Sequence, residues 1–388
     1  MKSWIEIAGA RLRANFEAIR TVAPGFEVLG VIKADAYGHG AAVCAPVLVE
    51  AGARWLGVAD LDEGLCVRTA LDGAGDTVHV IVMCGFEPGD AAGIVAAGLT
   101  PVVWTATQVR ALAQAAKEAG RTVTVHLEID TGMARQGAAP GEALAEVLHE
   151  LRSSPMVRCE GVFSHLSSSE VVESAETARQ QAGFERALQQ VSDAEIHAEW
   201  VHLGNSSAGD EGSTTQWMPL HGVEAGAKPM WRPGLALYGY ALPLTGLIDG
   251  KAGLLRAQLR PVATWKTRVI GLREIAAGDT VGYGATFLAE KPMRLALLPV
   301  GYADGFRREA SSGVGDGWVM IGGQRALVVG RVSMNLIVVD VTAINSPVNE
   351  GDEVVLLGEG VTAEDHAGWC GTISYEILCG MRGHRRLV

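Results

Sequence analysis

From Val28 to Arg232 the chain repeats one pattern eight times: a short apolar run, a turn, then a stretch whose apolar residues recur at helical spacing. The runs lie near Val28–Ile32, Trp55–Ala59, Val78–Met83, Leu99–Val103, Val123–Asp130, Cys159–Ser164, Trp200–Leu203 and Met230–Arg232, and helical stretches between them include Ala41–Glu50, Thr107–Ala119, Gly141–Leu151 and Glu173–Gln190. A strand covered on both faces reads as a continuous apolar run, so eight of them alternating with helices predict a (β/α)8 barrel of the TIM type. A doubly wound sheet competes with it. The barrel is favoured because the polar residues suited to chemistry stand at the carboxyl ends of several different runs, where barrel enzymes build their sites.

Ahead of this pattern, Trp4–Ile7 reads as a strand, and Leu12, Phe16 and Ile19 as one face of a helix. Beyond Tyr240 the grammar changes. Leu259–Leu272, Met293–Pro299, Trp318–Ile321, Gln324–Val329, Leu336–Asp340 and Glu353–Leu357 are short, rich in Val, Ile and Leu, and separated by Gly, Asp or Pro turns, which predicts a mainly antiparallel β domain after the barrel.

A net charge of -12 and a pI near 5.3 argue against a nucleic-acid groove or an anionic membrane surface, so small solutes are the expected partners. The six cysteines, Cys44, Cys66, Cys84, Cys159, Cys370 and Cys379, show neither CxxC pairs nor zinc-like His/Cys spacing; no metal is expected, and reduced thiols in the cytosol account for them. Residues 1–10 carry no signal-peptide pattern, and the expected location is cytoplasmic.

The stretch Val31-Ile32-Lys33-Ala34-Asp35-Ala36-Tyr37-Gly38-His39-Gly40 ends an apolar run on a lysine and follows it with a polar turn. Ammonium groups are seldom buried unless paired or chemically used. Lys33 is therefore either a snorkelling lysine at a strand end or a Schiff-base lysine carrying pyridoxal 5'-phosphate, with Tyr37 reaching for the phosphate. The decapeptide resembles the lysine segment of the alanine racemases, pyridoxal-phosphate enzymes of fold type III, and further segments match that family in the same order along nearly the whole chain. The resemblance implies a cofactor-binding barrel over residues 11–240 and a β domain formed by residues 1–10 plus 241–388.

It also implies roles residue by residue. In His126-Leu127-Glu128-Ile129-Asp130-Thr131-Gly132-Met133-Ala134-Arg135, Arg135 lies near the substrate carboxylate, a task suited to a guanidinium fork. Ser164-His165-Leu166 puts His165 beside the cofactor in a hydrogen-bonded relay. His202-Leu203-Gly204-Asn205-Ser206 and Trp231-Arg232-Pro233-Gly234-Leu235 close around the phosphate with Asn205, Ser206 and the amides of Gly234 and Leu235. Arg232 faces the pyridine nitrogen; a guanidinium keeps its proton, so the ring stays a modest electron sink and side reactions are disfavoured. Val281-Gly282-Tyr283-Gly284 bears the second base, Tyr283. A phenol is a weak base at neutral pH, and the relay through His165 toward Arg232 is the source of its activation. Tyr302, in Gly301-Tyr302-Ala303-Asp304-Gly305, and Met334, in Gly330-Arg331-Val332-Ser333-Met334-Asn335, adjoin the substrate, and Tyr375 of Tyr375-Glu376 touches the phosphate.

Two positions depart from the family pattern. Glu128 stands where many relatives have a lysine, often carbamylated, that holds the arginine, and is expected to give Arg135 a permanent negative partner. Asn335 stands where aspartate is usual. The stretch Glu211–Met230, bordered by Trp231 and carrying Trp217 and His221, looks longer than in many relatives and bears no readable motif.

The implied activity is interconversion of L- and D-alanine by two bases, Lys33 and Tyr283, for D-alanine biosynthesis serving peptidoglycan or for D-alanine catabolism. The implied assembly is a homodimer in which Tyr283 and Met334 of one chain complete the site on Lys33 of the other. Alternatives are a racemase preferring serine or a larger amino acid, a fold type III decarboxylase, whose glycine-rich phosphate motif and donor cysteine are not found, and a non-catalytic cofactor-binding protein, which would lack the β domain.

Overall fold

The computed structural model describes residues 2–72, 77–219, 226–247 and 253–388. The first strand, β1 (Ser3–Ile7), is followed by a helix, Gly9–Val22. Then come eight parallel strands: β2 (Glu27–Val31), β3 (Trp55–Val58), β4 (His79–Val82), β5 (Thr100–Val103), β6 (Val123–Glu128), β7 (Val157–Phe163), β8 (Trp200–His202) and β9 (Lys228–Trp231). They close into a barrel, with β9 returning to β2 through the pairs Glu27–Met230 and Val28–Trp231. All eight expected runs are strands, and the doubly wound alternative is excluded. Strands β3 and β5 are buried at every position, the double-sided coverage that makes them read as apolar runs.

Local chemistry sets the helix limits. Helix Ala106–Ala119 starts where the Thr105 hydroxyl accepts from the Gln108 amide, and stops where Gly120 turns left-handed with φ of 65°. Helix Leu61–Ala70 starts on Asp60, whose carboxylate accepts from the Glu63 amide.

Ten further strands follow: β10 (Ala263–Arg268), β11 (Gly271–Ile275), β12 (Thr280–Val281), β13 (Phe287–Leu288), β14 (Met293–Leu298), β15 (Trp318–Ile321), β16 (Gln324–Leu327), β17 (Ile337–Asp340), β18 (Glu353–Leu357) and β19 (His384–Leu387). They form a six-stranded sheet in the order β16-β15-β18-β10-β1-β19, a three-stranded sheet β11-β14-β17 and the β12-β13 pair. All pairs are antiparallel except β1 with β19. Expected Leu259–Leu272 is two strands, and β19, sequence His-Arg-Arg-Leu, has no apolar run to announce it. It is held by backbone pairing and by an ion pair from Arg386 to Glu6, which also takes Lys266 at 2.9 Å.

The chain divides into two compact units, one of Ala10–Ala36 and Cys44–Arg260, the other of Met1–Gly9, Tyr37–Val43 and Pro261–Val388. Within the long stretch noted at 211–230, His221 lies outside the described residues; the described part holds a short helix, Ser213–Trp217. Among the described residues no helix is long and apolar enough to cross a membrane, and no cluster of His, Cys, Asp and Glu could hold a metal ion.

Candidate active site

Strand β2 delivers Lys33 to the carboxyl end of the barrel. Ile32 donates to Gly57 O at 2.7 Å, and Lys33 then opens a turn in which Ala34, Asp35, Ala36 and Tyr37 have φ of 53°, 52°, 54° and 53°. Four consecutive left-handed residues without glycine are strained by roughly 1–2 kcal/mol each, and such strain collects at functional turns. In the second unit the Tyr37 and Tyr375 rings lie 5.8 Å apart, centroid to centroid. Gly38 cannot carry a side chain there, because a Cβ would lie 2.1 Å from Leu378 O.

The first unit is organised around Arg232, only 3% exposed. Its Nη2 donates to Ser164 O at 2.7 Å, to Leu203 O at 3.2 Å and, more weakly, to His165 Nδ1 at 3.4 Å; its Nη1 donates to His202 Nδ1 at 3.0 Å. The guanidinium also lies 4.8 Å over the Phe163 ring. Arginine only donates, so His202 keeps its proton on Nε2 and donates to His126 Nδ1 at 2.8 Å. His126 must then carry its own proton on Nε2, which has no partner among the described residues. Burial, helped by His79 and Arg232, pushes His126 down to about 3, and burial followed by Arg232 does the same to His165. Burial lowers Arg232 to about 10, which leaves it a cation at neutral pH. A fixed cation ringed by neutral imidazoles results, with the His165 proton on Nε2.

The residues between β8 and the end of β9 suit a phosphate. Ser206 Oγ accepts from the amides of Gly234 at 3.0 Å and Ala236 at 3.2 Å, so its own hydrogen remains to be donated. The Leu235 amide, on a residue 1% exposed, has no acceptor among the described residues. Buried amides are nearly always paired, and this open donor beside a polarised hydroxyl is what an anionic group would fill. Asn205 caps the helix Ser206–Glu211, accepting from Ala208 N at 3.0 Å and Ser169 Oγ at 2.9 Å, and its carbonyl takes Trp231 Nε1 at 2.7 Å. Trp231 is fully buried, which accounts for one residue beside the unread stretch.

Glu128 is 2% exposed at the end of β6, and burial raises its pKa against the opposing pull of Gln136, Arg232, Arg135 and Lys33. Its hydrogen bond comes from Gln136 Nε2, not from Arg135. Arg135 is exposed and makes no hydrogen bond or ion pair among the described residues, and Glu128, the negative partner expected for it, meets it only through its field. Neither Gln136 nor His126 was singled out in the sequence. A signal for His126 existed, since it stands two residues from Glu128 on one strand and so shares its face. Gly161 confirms that the face is inward, because a Cβ there would meet His126 Nδ1 at 2.4 Å.

In the second unit Tyr283 sits on a short turn between left-handed Gly282 and Gly284 and is 70% exposed; Met334 is 56% exposed. The Tyr302 loop is bound to the Met334 loop, Tyr302 N to Ser333 O at 3.1 Å and Ala303 N to Met334 O at 3.0 Å. Asn335 Nδ2 donates to Asp304 Oδ2 at 3.4 Å, an oxygen that also takes Lys2 at 2.6 Å and Gly301 N at 2.9 Å. An aspartate at 335 would repel that carboxylate.

Comparison with known proteins covers the chain almost end to end. Residues 7–242 match the family profile "Alanine racemase, N-terminal domain", and residues 262–387 match "Alanine racemase, C-terminal domain". The alanine racemase of Syntrophobacter fumaroxidans is 39% identical over 99% of this chain and 96% of its own length, and that of Symbiobacterium thermophilum 35% identical over 98% and 94%. The solved alanine racemase of Streptomyces coelicolor superposes with a TM-score of 0.88 at 33% identity, covering 100% of this chain and 98% of its own. The one from Bartonella henselae, described with covalently bound pyridoxal phosphate, superposes at 0.83 with 26% identity over the full length of both. A barrel with a lysine at its mouth, a β domain and these end-to-end matches leave one conclusion: the chain belongs to the alanine racemase family.

Proposed function

We propose that this protein interconverts L- and D-alanine with pyridoxal 5'-phosphate, using the barrel over residues 11–240 to hold the cofactor and the β domain of residues 1–10 plus 241–388 to supply the second base. The observation that carries the reading is the pair Lys33 and Arg232, an amine at the barrel mouth and a buried guanidinium that is charged at neutral pH, in the same unit of a family member. The residues fit the cofactor. Lys33 would bind its aldehyde carbon, Arg232 would face its ring nitrogen, and Ser206, oriented by the Gly234 amide, with Asn205, the Leu235 amide, Tyr37 and Tyr375, would hold its phosphate.

When bound, pyridoxal phosphate acidifies the α-hydrogen of an amino acid joined to it. Arg135 fixes the substrate carboxylate, with Met334 and Tyr302 beside it, so that the α-carbon presents one hydrogen face at a time. Lys33 Nζ moves the proton on the D face and Tyr283 Oη the proton on the L face; each positioned base is worth roughly 10² to 10⁴ in rate. His165, with Nδ1 turned toward Arg232, has its Nε2 hydrogen available to steady the Tyr283 oxygen.

The exposure of Tyr283 and Met334 on adjoining loops supports a homodimer in which these residues serve the partner's Lys33. The acidic charge and six cysteines, none of them in a disulfide, fit a reducing cytoplasm, with D-alanine supplied to peptidoglycan or consumed as a nutrient.

The test is a racemisation panel over alanine, serine, lysine and arginine, read by loss of optical rotation. It is paired with borohydride reduction and peptide mapping of the labelled lysine. Alanine as the preferred substrate and label on Lys33 are expected. Faster turnover of serine would move the substrate assignment, and label elsewhere would overturn the site.

A further inference from the structure

Arg135 stands on a loop whose base is closed by the strand it leaves: Asp130 N donates to Ala138 O at 3.0 Å and Ala138 N to Glu128 O at 2.8 Å. The loop's interior is shaped by Asp130, whose Oδ1 accepts from Gly132 N at 2.9 Å and Ala134 N at 3.1 Å. Gly137, at φ of 108°, turns the chain back where a Cβ would lie 2.6 Å from Asp130 N. None of these contacts involves the Arg135 side chain, and that side chain has no hydrogen bond of its own among the described residues. One side-chain tie reaches its immediate neighbour. Gln136 Nε2 donates both to Glu128 Oε2, at the end of β6, and to Met83 O, just past β4, at 2.9 Å.

We infer that Glu128 and Gln136 form a latch that positions Arg135 for the substrate carboxylate, with Glu128 acting through the Gln136 amide and not as the arginine's ion-pair partner. The inference rests on the assignment of Arg135 to that carboxylate. Both ends of the latch are chemically suited. An amide has two hydrogens, and Gln136 uses its Nε2 on two acceptors that belong to different strand ends. Glu128 is fixed by burial, so the acceptor does not wander. Together they tie the loop to two barrel strands directly beside Arg135, which rigid elements position better than loops do. Gln136 is a positioning residue in this scheme, and so is Glu128.

The test uses the holoenzyme and compares five variants: Gln136→Leu, Glu128→Leu, their double mutant, Glu128→Gln and Arg135→Lys. The readouts are KM and kcat for L-alanine and, without turnover, the calorimetric affinity for propionate, the substrate skeleton lacking the amine. Losing this buried hydrogen bond predicts an about tenfold rise in KM for Gln136→Leu, an equal weakening of propionate and kcat within about twofold. Because the two residues act as one unit, the double mutant is expected to be no worse than the poorer single variant. Glu128→Gln keeps an oxygen that accepts from Gln136, so its KM is expected to stay within about threefold. Gln136 is half-buried, so its leucine variant does not depend on refilling a core position.

If Arg135→Lys raises KM while Gln136→Leu does not, the latch is overturned and the carboxylate assignment stands. If neither changes KM or propionate affinity, the assignment of Arg135 falls and the latch with it. Additive losses in the double mutant would also overturn the latch.

Discussion

His202 Nε2 lies 2.8 Å from His126 Nδ1, and because Arg232 occupies the other nitrogen of His202, two buried imidazoles are locked neutral, each in one tautomer. A neutral histidine in the fold that would take a proton when unfolded makes stability depend on pH. His126 is held at about 3 against an ordinary 6.5, so between those values the unfolded chain binds a proton that the folded chain does not. Stability therefore falls as pH falls through that window. His165 and His202 act in the same direction, while Glu128, whose carboxyl is raised, acts in the opposite one near its own titration.

The share of His126 between pH 6.5 and 5 is about 2 kcal/mol. His126→Leu is expected to remove it, flattening the acid side of the stability curve. The variant should also lose about 1–3 kcal/mol at pH 7.5, because His202 Nε2 is left without an acceptor. Urea unfolding at pH 7.5, 6 and 5 checks this. Parallel curves for variant and parent would mean that His126 is not held neutral.

Gly209 offers a sharper steric test. A Cβ there would lie 1.7 Å from the Trp231 ring, which is fully buried and tied to Asn205 O, one residue before Arg232. The ring has nowhere to go. Gly209→Ala is expected to destabilise by about 1–3 kcal/mol or more and to lower activity by displacing Arg232. Gly368, in the helix Ala363–Cys370, is the contrast, since a Cβ there meets nothing within 4 Å. Gly368→Ala should raise the melting temperature, because alanine favours helix over glycine by about 1 kcal/mol. Thermal melts with tryptophan fluorescence distinguish the two.

How far the sequence reached depends on which physical signals write themselves into periodicity. The barrel strands were legible because burial on both faces leaves unbroken apolar runs such as Val80-Ile81-Val82. Strand β19 was not, since a strand held by an ion pair and backbone bonds has no apolar pattern. Lys33, Arg232 and Ser206 were legible through their motif neighbours. Gln136 was not, because a glutamine in a loop has no periodicity and its partner, Met83 O, is backbone and distant in sequence. The left-handed turn was equally hidden: Ala-Asp-Ala-Tyr contains no glycine to mark it.

That turn yields its own prediction at Ala34, which is exposed and has φ of 53°. Glycine adopts this conformation without strain, while a β-branched residue there is a genuine outlier. Ala34→Gly is expected to stabilise by about 0.5–1 kcal/mol once glycine's greater freedom in the unfolded chain is subtracted, and Ala34→Val to destabilise by about 2 kcal/mol. Melting temperatures in the order glycine, alanine, valine are the expected result, and the reverse order would mean that Ala34 is not left-handed in solution.

The proposed sharing of one active site between two chains is tested by mixing two inactive proteins. Lys33→Ala removes the amine and Tyr283→Ala the phenol, and each homodimer alone lacks one of them at both sites. If the site takes Lys33 from one chain and Tyr283 from the other, a mixed dimer has one site with both lesions and one with neither. Equal amounts with free exchange give half mixed dimers, each with half its sites intact, so about a quarter of parental activity should return. Native mass spectrometry verifies that exchange has occurred. With mixed dimers present and no activity recovered, both bases would have to come from one chain, and the 70% exposure of Tyr283 would need another cause.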